Sequence, residues 1–310
     1  MTESPTFALL KSRALIAVGG PDWRSFLQGL ISQDVETLRP GEARFGALLT
    51  PQGRLLYDLF VIGREDGCWL DVEAEHRAAF LQRLMIYRLR SKVTLAADDT
   101  PVSILFSAHP RESGDPGSFR GGVSAEPGSA NAASETQDAR VPASAGMSGF
   151  VSDPRLPDLG WRGYGVSAPP DAQLADEAAR EAQKLALGVP GPTDWGVDRT
   201  YPIEANFDLL NGIDFQKGCF VGQETTSRMK RRGQVKSRML PIAFDGAPLA
   251  AGAEVLAGDL RAGVVTSSGQ GRAIALLRLD RALGQALSAG GRPVTVDQPA
   301  WFRAALGEPA

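Results

Sequence analysis

The chain is 310 residues long, enough for two or three domains around a sizeable core. Apolar residues at 43% and charged residues at 22% are the proportions of an ordinary soluble globular protein, and a net charge of −3 argues against one that coats nucleic acid through overall charge. Two cysteines, Cys68 and Cys219, and two histidines, His76 and His109, are too few for a disulfide scaffold and argue against a zinc centre of cysteine and histidine ligands.

The first twenty residues hold a short apolar stretch without a basic region ahead of it or a cleavage site, and no run reaches membrane-span length, so we expect a cytoplasmic protein. Leu9 to Val18 reads as a strand interrupted at Lys11 to Arg13. Asp22 can cap a helix, and Trp23, Phe26, Leu27, Leu30 and Ile31 recur at helical spacing, which predicts a helix over 22–38 with one apolar face. Residues 43–49, Arg54 to Ile62 and Cys68 to Val72 then read as an antiparallel meander, its first turn being Thr50-Pro51-Gln52-Gly53. A helix over His76 to Leu89 follows, then strands at Lys92 to Ala96 and Val102 to Phe106. Grouped rather than alternating elements favour an α+β fold over a doubly wound parallel sheet.

Residues 109–149 are rich in Gly, Ser, Pro and Ala, with few large apolar side chains, and read as a disordered insertion. Order resumes near Phe150, with a strand at Trp161 to Val166, a helix over Ala172 to Leu187 ended by Gly188, and a loop from Thr193 to Asn206. Past Gly233, runs at Leu240 to Phe244, Glu254 to Leu256, Ala262 to Ser267, Ala273 to Leu279 and Val294 to Val296 alternate with glycine turns, which predicts a small β-barrel or sandwich.

The octapeptide Lys217-Gly218-Cys219-Phe220-Val221-Gly222-Gln223-Glu224 sets a thiol between two glycines and a cation, and a basic run follows: Arg228, Lys230, Arg231 and Arg232. Glycines permit tight turns and close backbone approach. A lysine beside a cysteine favours the thiolate. Clustered Arg and Lys suit carboxylate or phosphate.

These pieces resemble the folate-binding, aminomethyltransferase-like superfamily, and within it the YgfZ branch of iron–sulfur-linked assembly factors. The octapeptide matches that family's K-G-C-[FY]-x-G-Q-E signature in full. Ser227-Arg228, Arg232-Gly233, Phe26-Leu27-Gln28-Gly29, Asp34-Val35, Thr50 to Arg54 and Val264 to Ser267 match shorter elements in the same order. The resemblance implies two interleaved α+β lobes over residues 1–240, a small C-terminal β-barrel over 241–310, and a central hole that takes a reduced folate. It implies tetrahydrofolate or a derivative as ligand, and [4Fe-4S] clusters only through client or assembly proteins. The function implied is an accessory role in assembly or repair of [4Fe-4S] enzymes, tRNA-modifying ones included, rather than enzyme activity in the strict sense. The alternative is a tetrahydrofolate-dependent aminomethyl (one-carbon) transferase. Direct nucleic-acid binding fits least, given the acidic net charge.

On this resemblance Cys219 is the key thiol, the other reading being a small buried residue in a tight turn. Glu204, in an R-T-Y-P-I-E-A-N stretch, matches a glutamate that accepts two hydrogen bonds from a pterin; the family's glycine is replaced by Asn206, and an exposed loop carboxylate is the alternative. Asp58 stands in Tyr57-Asp58-Leu59 where aminomethyltransferases carry Asp-Asp-Leu, so one acid is lost, which disfavours amine transfer; alternation equally allows a solvent-facing residue. Arg228, Lys230, Arg231 and Arg232 could hold the glutamate tail of a folate or a tRNA phosphate, against a solvated basic face; Lys217 with Arg228 is the electrostatic setting of the thiol, and Lys217, Arg228 and Arg232 are the cofactor-binding candidates. Trp161, Trp195 and Tyr201 are either stacking partners or core. Gln223 and Glu224 are expected to cap backbone groups, His76 to be exposed, and His109 to have no role. No metal ligand set is expected.

Overall fold

The computed structural model describes residues 4–107, 149–231 and 235–307. The expected insertion lies outside them apart from Gly149, as do His109, Arg232 and Gly233.

The strands are β1 (Thr6–Leu9), β2 (Arg13–Gly19), β3 (Ala43–Leu49), β4 (Leu55–Arg64), β5 (Gly67–Glu73), β6 (Thr94–Asp98), β7 (Val102–Phe106), β8 (Phe150–Ser152), β9 (Trp161–Tyr164), β10 (Gln173–Ala175), β11 (Ser237–Ala243), β12 (Glu254–Ala257), β13 (Leu260–Ser268), β14 (Arg272–Arg278), β15 (Leu287–Ala289) and β16 (Arg292–Val296). The helices are α1 (Trp23–Gln28), α2 (Arg77–Arg88), α3 (Glu177–Ala186), α4 (Pro192–Trp195), α5 (Gln223–Arg231), α6 (Leu279–Ala282) and α7 (Ala300–Ala305).

The strands form two five-stranded sheets and a closed barrel. One sheet has the order β10-β1-β7-β9-β8, the other β3-β4-β5-β2-β6, and the barrel runs β11-β14-β13-β12-β15-β16. Pairing of β16 with β11 closes the barrel and removes its free edges. The chain begins in the first sheet, builds the second from β2 to β6, and returns to the first at β7. That return makes the two lobes interleaved. The interruption at Lys11 to Arg13 is therefore the crossing between sheets, since β1 pairs with β7 and β2 with β5.

Two further expectations are corrected. The helix expected over 22–38 ends at Gln28, although Leu30, Ile31, Val35 and Leu38 are all buried. The remainder packs as irregular chain: Ser32 exchanges hydrogen bonds with Ala47, and its hydroxyl also reaches the Gly212 carbonyl at 2.6 Å. The helix expected from Ala172 begins at Glu177, capped by the Asp176 carboxylate on the Ala179 N–H, because Gln173–Ala175 is claimed as a strand parallel to β1.

One hydrophobic cluster joins both sheets, through Leu10, Leu15, Phe45, Phe60, Ile104 and Phe106, to Phe207, Phe220 and the barrel residues Met239 and Ile274. A second lies between α1, α2 and the β3–β6 sheet, and a third fills the barrel. No helix among the described residues is long and apolar enough to cross a membrane.

Candidate functional site

Where the two sheets face each other, α3 closes a cavity of about 400 Å³. Strand alternation sets its floor. In β2, β4 and β5 the side chains of Arg13, Asp58, Phe60 and Glu73 share one face and line it. Arg162 enters from β9, and Arg180, Glu181 and Lys184 from α3. A wider cavity of about 590 Å³ between α3 and the barrel shares Glu181, Lys184 and Thr193 with it, so the two spaces adjoin.

The wall is a paired charge network. Arg13 holds Asp58 through Nη1 (3.1 and 3.3 Å) and Asp71 through Nε (2.7 Å), and donates through Nη2 to the Asp71 carbonyl. Arg162 and the Tyr164 hydroxyl donate to the other Asp71 oxygen, and the Arg162 guanidinium lies 3.8 Å from the centre of the Phe60 ring. Behind them Asp153 receives Arg155 at 2.9 and 2.7 Å and Arg180 at 3.3 Å. Burial alone would raise the carboxyls of Asp71 and Asp153; the facing guanidiniums reverse that and hold both below the usual carboxylate range. Burial lowers Arg180 to about 9 despite Asp153. Burial and the adjacent Asp58 charge push Glu73 up to about 7.

Of the residues singled out from sequence, Asp58 is the one that lines this cavity. It is 3% exposed and ion-paired, which removes the solvent-facing alternative. Glu204 is half-buried elsewhere: its carboxylate accepts the Tyr201 N–H at 3.0 Å, and burial raises its pKa against that bond and Arg54. Asn206 has φ +62°, a conformation that asparagine tolerates better than most residues. Its side chain donates to the Met239 carbonyl and accepts from Arg238.

Cys219 is exposed, so the buried-turn alternative does not hold, but it is absent from the lining of the Asp58 cavity. Cys68 is the buried thiol, pushed up by burial. Lys217 turns away from solvent. Its ammonium donates to the carbonyls of Gln28, Ile31 and Gln33 at 2.8, 2.7 and 2.9 Å, and desolvation lowers it to about 8. The expectation that it sets the charge around the thiol or binds a ligand is corrected on that ground. Gly222 (φ +80°) packs against the hairpin turn: a Cβ there would lie 2.6 Å from the Thr50 carbonyl oxygen and 2.9 Å from the Gly53 Cα. Gly218 has open space around it, so close packing does not require a glycine there.

The basic run lies on α5. Arg228 is exposed and paired with Glu224 at 2.6 Å, and the Lys230 ammonium sits 3.6 Å from the Phe215 ring centre. Glu224 thus serves an ion pair rather than a backbone cap. Arg232 lies outside the described residues. Trp195 is core, Trp161 is half-buried, and Tyr201 is half-buried with Arg54 over its ring. His76 is half-buried, 5.5 Å ring to ring from Tyr57. Sequence reasoning passed over Arg13, Glu73, Arg162, Arg180 and Lys184; the two-residue spacing of Asp71 and Glu73 on a strand beside Asp58 was the signal available for Glu73.

Residues 236–304 match the family described as CAF17, C-terminal beta-barrel domain. The chain is 34% identical over 253 residues to the iron-sulfur cluster assembly factor IBA57 homolog, mitochondrial, of Neurospora crassa, covering 77% of this chain and 54% of that protein. It is 28% identical to the human iron-sulfur cluster assembly factor IBA57, mitochondrial, covering 76% and 65%. The chain thus spans between about half and two thirds of the length of these relatives. The crystal structure of the glycine cleavage system aminomethyltransferase T of Bartonella henselae superimposes with a TM-score of 0.70 at 17% identity, over 96% of this chain and 86% of that one. The fold is therefore the aminomethyltransferase-like α+β fold with a closed C-terminal barrel. The cytoplasmic location expected from the start of the sequence is overturned, because the relatives are named mitochondrial proteins.

Proposed function

We propose that this chain is a folate-binding accessory protein for the assembly or repair of [4Fe-4S] enzymes, tRNA-modifying enzymes among its clients. The observation that carries the reading is the charged cavity at Asp58, set in an aminomethyltransferase-like fold. Its volume is in the range of small-molecule sites. The Asp58 carboxylate suits a ring bearing N–H donors, while Lys184 at the edge of α3 suits a carboxylate of a glutamate tail. The relatives' name, iron-sulfur cluster assembly factor, supports the second half of the reading. Cys219 then meets the cluster or its carrier from outside, since its thiol is exposed and away from the cavity. The cluster is cargo, delivered with assembly partners.

A deletion strain carrying Cys219→Ala tests the assembly role: [4Fe-4S] enzyme activity stays low while the wild-type chain restores it. Equal rescue by the variant defeats the role given to the thiol. Anaerobic titration with tetrahydrofolate tests the ligand, with Asp58→Asn expected to bind about tenfold or more weakly. A one-carbon transferase is the second reading, favoured by Glu73 beside Asp58, which restores a pair of carboxyls to the cavity. Turnover of an aminomethyl donor with tetrahydrofolate would support it over the accessory role.

A further inference from the structure

Glu73 ends β5 as the cross-strand partner of Arg13, and the β4–β5 register of Phe60 with Asp71 runs on to Asp58 beside Glu73. Both carboxyls therefore stand on the cavity floor. Arg13 is the obvious cation for Glu73, yet each of its nitrogens is already engaged, Nε and Nη2 by Asp71 and Nη1 by Asp58. Among the described residues Glu73 has no side-chain hydrogen bond, and its ion-pair contact is His76 Nε2 at 3.6 Å. It is a partly exposed cavity carboxyl with room for a ligand hydrogen bond.

The groups facing it are Asp58 from β4, Arg13 from β2, Glu75 and His76 from the turn after β5, and Lys184 from α3; Glu177 and Glu181 line the same space. Burial, then Asp58, favour the neutral form; Arg13 and Lys184 oppose them. A neutral carboxyl is the one carboxyl form with an O–H to donate. A reduced pterin carries N–H donors and also ring-nitrogen and carbonyl acceptors. Asp58, ion-paired with Arg13, offers acceptors alone.

We infer that Glu73 is a ligand-contacting residue of this cavity, hydrogen-bonded to a ring nitrogen or carbonyl oxygen of the bound pterin while Asp58 accepts from the ring N–H groups. The inference rests on the folate reading above.

Tetrahydrofolate affinity measured anaerobically from about pH 6 to about pH 8.5 tests it. Wild-type affinity is level at the acid end and falls about tenfold per pH unit beyond the Glu73 transition, near 7. Glu73→Gln keeps a donor and loses the titration, so its profile is flat and it binds more tightly than wild type at the alkaline end. Asp58→Asn, whatever its overall affinity, moves the wild-type fall to lower pH, because the charge that holds Glu73 neutral is gone. An unchanged profile in Glu73→Gln, or affinity that rises with pH, overturns the inference alone. No binding at any pH removes the folate reading and the inference with it.

The ligand-free chain gives a second readout. A carboxyl whose folded pKa is raised contributes stability that is fully present below its unfolded value, about 4.3, and is lost as pH rises through the folded value of about 7. Glu73→Gln therefore raises the melting temperature above the transition and leaves it near wild type at about pH 4. Equal melting temperatures at both ends contradict a carboxyl held neutral.

Discussion

Lys217 shows how one side chain can set a loop. The stretch after α1 buries Leu30, Ile31, Val35 and Leu38 without regular structure, so its carbonyls need donors from elsewhere. The Lys217 ammonium satisfies two of them, at Ile31 and Gln33, together with the last carbonyl of α1 at Gln28, and Arg24 Nη1 satisfies Val35 and Glu36 at 2.6 and 3.2 Å. Cys219, two residues further on, is thereby displayed from an anchored base. Lys217→Met leaves three acceptors without their donor and should cost about 3 kcal/mol in urea denaturation, at roughly 1 kcal/mol per bond. Lys217→Arg should recover little, because a planar guanidinium cannot point three donors at three converging carbonyls. A loss under about 1 kcal/mol for the methionine variant would mean water replaces the ammonium there. Nothing local in the sequence announces this role. A lysine next to a cysteine reads as a charge on the thiol, whereas its partners lie more than 180 positions away in the chain.

At the scale of elements, the octapeptide and the Thr50 to Gly53 turn meet as two backbones. Gly53 (φ +86°) would place a Cβ 2.9 Å from the Thr225 Cβ and 3.0 Å from the Gly222 carbonyl oxygen. Gly53→Ala should therefore cost about 3 kcal/mol, roughly 1 from the left-handed backbone and the rest from the clash, read as a lowered guanidinium midpoint. A neutral result would show that the β3–β4 hairpin and α5 part easily. The same scale shows where sequence reasoning succeeds. Val102 to Phe106 is a strand in both, and the meander from residue 43 to residue 73 is read correctly, because turn chemistry and alternation are local. Apolar spacing over 22–38 identifies the buried residues but not the backbone, since burial alone does not require a helix. Gln173–Ala175 escapes because its partner is β1, at the far end of the chain. The candidate site divides the same way. The octapeptide is a contiguous signal; the cavity is assembled from β2, β4, β5, β9 and α3, and its pairing of Asp58 with Arg13 exists only in the folded register.

At the scale of the molecule, the lobes share one core, and the barrel is fastened to it. Asn206 donates to the Met239 carbonyl, the Met239 N–H reaches the Glu204 carbonyl, and Arg238 binds Asp208 through both terminal nitrogens at 2.8 Å. Met239 and Ile274 of the barrel pack in the cluster that holds Phe45, Phe60 and Phe106 of the two sheets. Separate unfolding of the barrel would expose that shared apolar surface and leave Asp208 and the Ile203 carbonyl without Arg238, their partner on β11. The five tryptophans sample the parts: Trp23 beside the β3–β6 sheet, Trp69 and Trp161 on strands of the two lobes, Trp195 in the shared core, and Trp301 against the barrel. Urea unfolding followed by tryptophan fluorescence and by far-ultraviolet circular dichroism should give superimposable single transitions. Arg238→Met, which cuts the fastening to Ile203, Asn206 and Asp208, should uncouple them, so that the two curves separate. Wild-type curves that already separate would show the barrel to be an independent unit resting on the lobes.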